Sequence, residues 1–254
     1  MNNLGTRKGI ILAGGKGTRI KPIIGETPKI LANISGKPFF EWFIKWIDTW
    51  DLNINPQILL STGNGHETVD NYCKKSNHNL ICVKEKFPLG TFGAISNVAS
   101  KYYSKDYLIL NGDTIFDYNF NYIYDFYKKD PYNDPLILLK EDLNNKSGGY
   151  KKIKSKWYFS LDKTNYISLG ALLISFKKIK EIWTELTSIP FENNLINKSL
   201  KKELMIDQDC FSIKPVNAIT FSSDISFLDI GIPSSYSLSQ SYIPNFIKNL
   251  KKID

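Results

Sequence analysis

Along the chain, short apolar runs alternate with stretches of helical spacing. Residues 9–13 form a brief apolar run that ends in glycines, the pattern of a buried strand. In Phe39, Trp42, Phe43, Trp46, Ile47 and Trp50, large apolar residues recur at three- and four-residue intervals. They follow Pro38, a residue suited to a first helical turn, so the spacing predicts an amphipathic helix. Residues 57–61, 80–83 and 107–111 read as strands, with helices expected over 67–75 and 91–103 between them. Two more strands are expected at 136–139 and 171–175. The aromatic cluster 122–127 also has helical spacing and is expected in the core. This alternation argues for an α/β fold with a mainly parallel sheet, because parallel strands need crossover connections.

Beyond about Asp142 the rhythm becomes irregular. The run Asn144, Asn145, Lys146, Ser147, Gly148, Gly149 is a turn signal, followed by expected hairpin strands near 150–154 and 156–161. Helices are expected over 176–187 and from Ser234 towards the C-terminus. No linker, repeat or low-complexity segment divides the chain, so residues 1–254 are expected to form a single domain with a more variable C-terminal part.

Composition narrows the class. With 42% hydrophobic residues the chain is not of disordered type. No apolar stretch approaches the roughly 20 residues needed to span a bilayer. The polar start and the brevity of the first apolar run argue against a secretory leader. Cys73, Cys82 and Cys210 are odd in number and widely spaced, which favours neither a disulfide framework nor a zinc site. The expectation is a cytoplasmic protein without a membrane partner. The net charge of +8 favours anionic ligands, but it is dispersed in short lysine pairs, as on a solvated surface, so a nucleic-acid groove is not expected.

The candidate chemistry begins at the end of the first strand, in "GIILAGGKGTRIKPIIGETPK". Glycines there let backbone N–H groups approach an anion, Arg19 offers a planar fork to phosphate oxygens, and Lys29 adds a point charge. Neither the dinucleotide fingerprint nor the ATPase loop fits: Ile20 stands where the first needs glycine, and Gly17-Thr18-Arg19 lacks the Gly-Lys-Ser/Thr ending of the second. Asp113 follows another apolar strand and Gly112, so it should emerge at the same C-terminal sheet edge, where open α/β sheets bind ligands. Asp229 lies in a second apolar context, "SFLDIGIP". Each aspartate alone reads equally well as a turn former or cap. Together with a basic glycine loop they suggest Mg²⁺ held between carboxylates and substrate phosphates. His66 and His78 lack ligand spacing, and no Ser-His-Asp or Cys-His arrangement stands out.

These residues resemble the sugar-1-phosphate nucleotidyltransferases, or nucleotide-sugar pyrophosphorylases. The signature Leu-Ala-Gly-Gly-x-Gly-Thr-Arg stands here as Leu12, Ala13, Gly14, Gly15, Lys16, Gly17, Thr18 and Arg19, followed by Pro28-Lys29. The likeness continues through "ISGKPFFEW", "KFPLGTFGAI", "LILNGDTIFD" and "FLDIGIPSSY". It implies a Rossmann-like three-layer α/β/α fold with a mainly parallel mixed sheet, of the nucleotide-diphospho-sugar transferase type. Residues 1–140 would form the nucleotide-binding half, and 141–254 the sugar-phosphate half with C-terminal helices. The implied substrates are an NTP and a sugar 1-phosphate, with assembly as a homo-oligomer left open.

On the family's pattern the backbone from Gly14 to Thr18 wraps the triphosphate, with Leu12 and Ala13 also binding the nucleotide, Arg19 steadies the leaving pyrophosphate and Lys29 stabilises charge at the α-phosphate. Asp113 and Asp229 hold Mg²⁺. Ser61, Thr62 and Gly63, with Leu89, Gly90 and Thr91, would read the base. Gly112, Gly149, Lys163, Ser168 and Gly170 would serve the sugar phosphate. This last half departs from the pattern: Glu-Lys-Pro appears as Asp162-Lys163-Thr164, and Asn-Ala-Gly as Ser168-Leu169-Gly170. Within the family the likeness is greatest to guanylyltransferases acting on a manno-configured heptose 1-phosphate, with a cytidylyltransferase as the nearest alternative and, given the altered sugar half, a catalytically weak nucleotide-binding regulatory protein as another. Phe92 replaces a glycine of that subgroup and is expected to pack under its loop rather than narrow the base pocket. Such a product would feed a bacterial surface glycan, either capsule or lipopolysaccharide.

Overall fold

The computed structural model describes residues 7–50, 57–118, 120–130, 134–145, 148–187, 191 and 215–250. Its centre is a nine-stranded mixed sheet. Strands β1 (Arg7–Ala13), β4 (Ile58–Thr62), β5 (Leu80–Lys84) and β6 (Asp106–Asn111) run parallel, with β1 between β4 and β6 and β5 outside β4. On the other side of β6 the direction reverses: β11 (Tyr166–Ser175) pairs antiparallel with it. Strand β8 (Leu136–Glu141) pairs with β11 and, in parallel, with β12 (Asn217–Phe221). The hairpin of β9 (Gly149–Ile153) and β10 (Lys156–Ser160) joins the sheet at the start of β11.

Adjacent residues in a strand face opposite sides of the sheet, and both sides are buried here. Ile11, Leu60, Leu108 and Leu110 belong to one apolar cluster, Ile10, Leu59, Tyr107 and Ile109 to the other. The first face is covered by helices α2 (Phe39–Ile47), α3 (His66–Lys75), α5 (Phe120–Lys129) and α7 (Pro233–Leu250), the second by α4 (Gly90–Ala99) and α6 (Phe176–Leu186). This is the α/β fold the alternation predicts, in the three-layer form the resemblance implies. No helix among the described residues is long and apolar enough to cross a membrane.

Three local differences from the sequence reading have physical causes. Helix α2 stops at Ile47, but two further turn bonds, Thr49 N–H to Trp46 O and Trp50 N–H to Ile47 O, still carry Trp50 into the core. Helix α4 starts at Gly90 and ends at Ala99 rather than Tyr103. The chain beyond it bends round the buried Tyr107 hydroxyl, which donates to Tyr102 O at 3.0 Å and accepts from Ser104 N–H at 2.9 Å. In the aromatic cluster, Tyr124 and Tyr127 are buried, whereas Tyr122 and Phe126 are exposed, as an amphipathic α5 requires. Cys73 and Cys82 carry free thiols, and Cys210 lies outside the described residues.

Strands β2 (Asn33–Ile34) and β3 (Lys37–Pro38) form a small antiparallel sheet of their own, but another short sheet matters most for the chemistry. Strand β7 (Thr114–Phe116) pairs antiparallel with β13 (Phe227–Asp229), Asp229 standing opposite Thr114. The ladder is extended by Ile230 N–H donating to Asp113 O at 2.9 Å and Asp117 N–H donating to Ser226 O. It is fastened to α2 by the Trp46 indole N–H, which donates to Phe116 O at 2.9 Å.

Candidate active site

The loops after β1, β4, β5 and β6 all leave the sheet at its C-terminal edge, and two adjoining clefts lie there. One, of about 320 Å³, is lined by the glycine loop (Gly14, Gly15, Lys16), Glu85 and the segment Pro88–Thr91. The other, of about 500 Å³, runs from Arg19 across Ile109 and Ile137 to Ser168, Gly170 and Leu172. Leu12, Thr91, Asn111 and Asp113 line both.

In the first cleft the backbone of residues 14–19 turns sharply away from β1. Ile20 and Lys21 N–H both donate to Gly17 O and open the one-turn helix α1 (Lys21–Ile24). Gly14 is needed for close approach: a Cβ there would land on Glu85 Oε1. Gly15, Lys16, Thr18 and Arg19 remain exposed. Across the cleft, α4 points its N-terminal end at the loop, with Gly90 and Thr91 in its first turn. Free N–H groups and a positive dipole end at that point suit an anion.

Glu85 is the residue that sequence reasoning missed. Ser61 Oγ donates to its Oε1 at 3.0 Å and Leu89 N–H to its Oε2 at 3.2 Å. Its backbone N–H donates to Thr62 O. Burial pushes its carboxyl above the ordinary range, against the pull of those two donors. Each carboxylate oxygen keeps a lone pair for the cleft. The available signal was an acidic residue directly after an apolar strand, five positions ahead of Gly90. The expected base-reading residues act behind it: Ser61 and Thr62 are fully buried, Ser61 gripping Glu85 and Thr62 Oγ1 lying 2.8 Å from His66 Nδ1. Gly63 packs against the Gly14 backbone and Leu89 is buried. Phe92 is buried with Ile10, Leu59 and Val83 beneath α4, the packing role expected of it.

Between the clefts four charged side chains converge. Lys29 Nζ donates to Asp113 Oδ2 at 2.5 Å, and Thr114 Oγ1 donates to Asp113 Oδ1. Asp229 Oδ1 accepts from Gly231 N–H at 2.6 Å. Burial and then the negative charge of Asp113 raise the Asp229 carboxyl above its ordinary range, while Gly231 N–H, Lys29 and Arg19 oppose that shift. Asp113 thus disfavours the ionisation of Asp229, and neighbouring carboxylates of this kind make a place for a cation. Among the described residues no group of three or more His, Cys, Asp or Glu is placed to hold a metal. The donor set is therefore two hard oxygen ligands, with room for phosphate oxygens and water. Mg²⁺ prefers that arrangement to an all-protein cage, so the residues fit it.

The sugar-side candidates are less tightly assembled. Ser168 and Gly170 line the second cleft, where the pairing of β11 with β8 shifts register between Ser168 and Leu172. Ser168 Oγ accepts from Gly170 N–H at 3.0 Å. Gly112 packs on the Leu12 carbonyl beneath the loop, and Gly149 lies under Thr164 and Tyr166, where a Cβ would collide with both. Lys163 is exposed and is not among the residues lining either cleft.

A family model described as Nucleotidyl transferase matches residues 8–156. The chain is 28% identical over 247 residues to a D-glycero-alpha-D-manno-heptose 1-phosphate guanylyltransferase of Aneurinibacillus thermoaerophilus, covering 94% of this chain and 99% of the relative. Its fold is similar to that of HddC from Yersinia pseudotuberculosis complexed with GMP-PN, with a TM-score of 0.64 at 24% identity over 92% of this chain and 97% of that one. It is also similar to a putative glucose-1-phosphate thymidylyltransferase from Bacillus anthracis, with a TM-score of 0.71 at 20% identity over 94% and 95% of the two chains.

Proposed function

The chain belongs to the nucleotidyl transferase family, and on that premise we propose that it transfers guanylyl from GTP to a manno-configured heptose or hexose 1-phosphate. The products are the nucleotide-diphospho-sugar and pyrophosphate. The observation that carries the reaction is the convergence of Lys29, Arg19, Asp113 and Asp229 where a glycine-lined cleft meets a second cleft. An oxygen of the sugar phosphate forms a bond to the α-phosphorus as the bond to the β-phosphate oxygen breaks. Such a transfer needs positioning and charge neutralisation, and no protein nucleophile.

In this reading the backbone N–H groups of the glycine loop and the N-terminal end of α4 hold the phosphate tail. Arg19, exposed at the mouth of the second cleft, steadies the leaving pyrophosphate. Lys29 begins paired with Asp113 and exchanges that carboxylate for an α-phosphate oxygen. Asp113 and Asp229 would hold Mg²⁺, which when bound neutralises phosphate charge. Lys163 meets the acceptor phosphate from its exposed position, and Ser168 and Gly170 border the sugar.

Glu85 favours guanine. A buried, acceptor-only carboxylate facing the cleft matches the adjacent N1–H and N2–H donors of guanine, whereas the adenine N1 and cytosine N3 lone pairs would face it unpaired. The similarity to a heptose 1-phosphate guanylyltransferase supports both base and sugar. A role for the product in bacterial surface glycan synthesis, within the cytoplasm, belongs to the same reading. The test is a matrix of GTP, CTP, UTP, ATP and dTTP against heptose, mannose and glucose 1-phosphates, read by pyrophosphate release. The expected maximum is GTP with a manno-configured acceptor. Pyrophosphate release independent of any sugar phosphate would sink the proposal, and a maximum with CTP would overturn the assignment of Glu85.

A further inference from the structure

Asn111 is the last residue of β6, and the sequence reading assigned it nothing. Strand alternation puts its side chain on the same face as Ile109, in the row of apolar residues that continues through Ile137 and Leu172 to form the floor of the second cleft. The row ends in a carboxamide where the two clefts meet. Of the four residues common to both clefts, Leu12 is apolar and Asp113 anionic, leaving Thr91 and Asn111 with neutral hydrogen-bonding groups. Among the described residues the Asn111 carboxamide has no hydrogen-bond partner, and it is exposed to the clefts.

Its position is built rather than incidental. Gly170 lies directly against it with φ of 77°, and a Cβ at that position would stand 2.9 Å from Asn111 Nδ2 and 3.0 Å from its Cγ. The bulged stretch of β11 therefore leaves the space that this amide fills. A polar group that loses water when both clefts fill must find a partner in what fills them. At the junction, the groups that have to meet are the α-phosphate of the nucleotide and the phosphate of the acceptor. Arg19, Lys29 and the cation site already supply positive charge. A neutral donor orients an attacking phosphate oxygen without over-neutralising it as a nucleophile.

We propose that Asn111 is a positioning residue for the acceptor, donating from Nδ2 to a non-bridging oxygen of its phosphate and aligning it for in-line attack. The inference rests on the nucleotidyl-transfer reading, and wild-type turnover separates the two: a wild-type protein that makes no nucleotide sugar defeats that reading, not the role of Asn111. With turnover established, Asn111→Ala is expected to raise the acceptor KM about tenfold. The GTP dissociation constant, measured by calorimetry without acceptor, should stay within twofold and the melting temperature should not change. Asn111→Asp, of the same shape but charged, should lower kcat/KM for the acceptor at least tenfold below Asn111→Ala, because a carboxylate repels the phosphate. Asn111→Ser, which keeps a small donor, should recover part of the loss. Equal losses for the Ala and Asp variants would overturn the proposal, as would a loss in Asn111→Ala that falls mainly on GTP binding.

Discussion

The two clefts share one sheet edge but are built in different ways. The side proposed for the nucleotide is made from turns that directly follow parallel strands: the glycine loop after β1, Gly63 after β4 and Glu85 after β5. Its parts interlock, with Gly14 against Glu85, Glu85 held by Ser61 and Leu89, and Gly63 against Gly14. The side proposed for the acceptor is assembled across the reversal of strand direction, from β6, a bulged β11 and β8, and its polar candidates stand apart. Lys163 is exposed, the Ser168 hydroxyl accepts from Gly170 N–H two residues along its own strand, and the Asn111 carboxamide is unpaired among the described residues. A rigid pocket of interlocked backbone suits a ligand portion common to many enzymes. A looser rim of side chains on antiparallel strands suits the portion that differs among them.

Removing the proposed cation ligands should break the comparison by silencing both sides. Asp113→Asn and Asp229→Asn are each expected to lower kcat by about a thousandfold, the scale of several kcal/mol of lost transition-state charge stabilisation. Circular dichroism should show both variants folded, because each side chain is only partly buried and neither belongs to an apolar cluster. Normal turnover by both would remove the metal assignment.

The next largest effect should be confined to the nucleotide side. Glu85→Gln keeps shape but trades one acceptor for a donor, so the GTP KM should rise about thirtyfold, near 2 kcal/mol for a hydrogen bond to a charged group. The acceptor KM should not move. An equal loss with every NTP would show that Glu85 merely supports the loop. On the acceptor side, Lys163→Ala should raise the sugar-phosphate KM roughly tenfold, the range of a charge-assisted contact, and leave GTP binding intact. An unchanged acceptor KM would mean that Lys163 stays as far from the cleft as the structure places it.

The smallest effect is one of pH. Burial raises the Glu85 carboxyl, so the folded state holds its proton to higher pH than the unfolded chain does. Its contribution to stability is therefore present below the ordinary glutamate value of about 4.3 and is lost as pH rises through the raised value. Guanine binding has the opposite sign, because protonation puts an O–H against the base's own donors. GTP affinity should thus fall as pH drops through that raised range in the wild type and stay flatter in Glu85→Gln, as read by titration calorimetry at several pH values.

Much of the nucleotide side was legible from the sequence because it is local. A glycine loop after an apolar run, an aromatic helix following Pro38 and a helix read from Thr91, one residue after its observed start, are settled by neighbours a few residues apart. Local pattern also placed the strands of both sheet faces, β12 and the short β7–β13 ladder excepted. Strands β7 and β13, of three residues each, are too brief to show a period, while β12 is as long as β4 but sets polar Asn217 and Thr220 among its apolar residues where β4 has an unbroken apolar run. All three form because distant partners offer them unpaired backbone groups. The pairing of Asp113 with Asp229 was inferred from residue type and resemblance, and only the ladder explains why the two carboxylates meet.

What the sequence by itself determined was the α/β fold and, through the motifs that carry the resemblance, the nucleotidyl transferase family, since periodicity and contiguous motifs are short-range properties. What only the tertiary structure decided was which side chains face each cleft: Glu85 behind Gly14, Asn111 in the space left by Gly170, and Lys29 resting on Asp113. Those contacts link residues far apart in the chain. They depend on strand order, a register shift and the burial of particular oxygens, none of which leaves a periodic trace in the sequence.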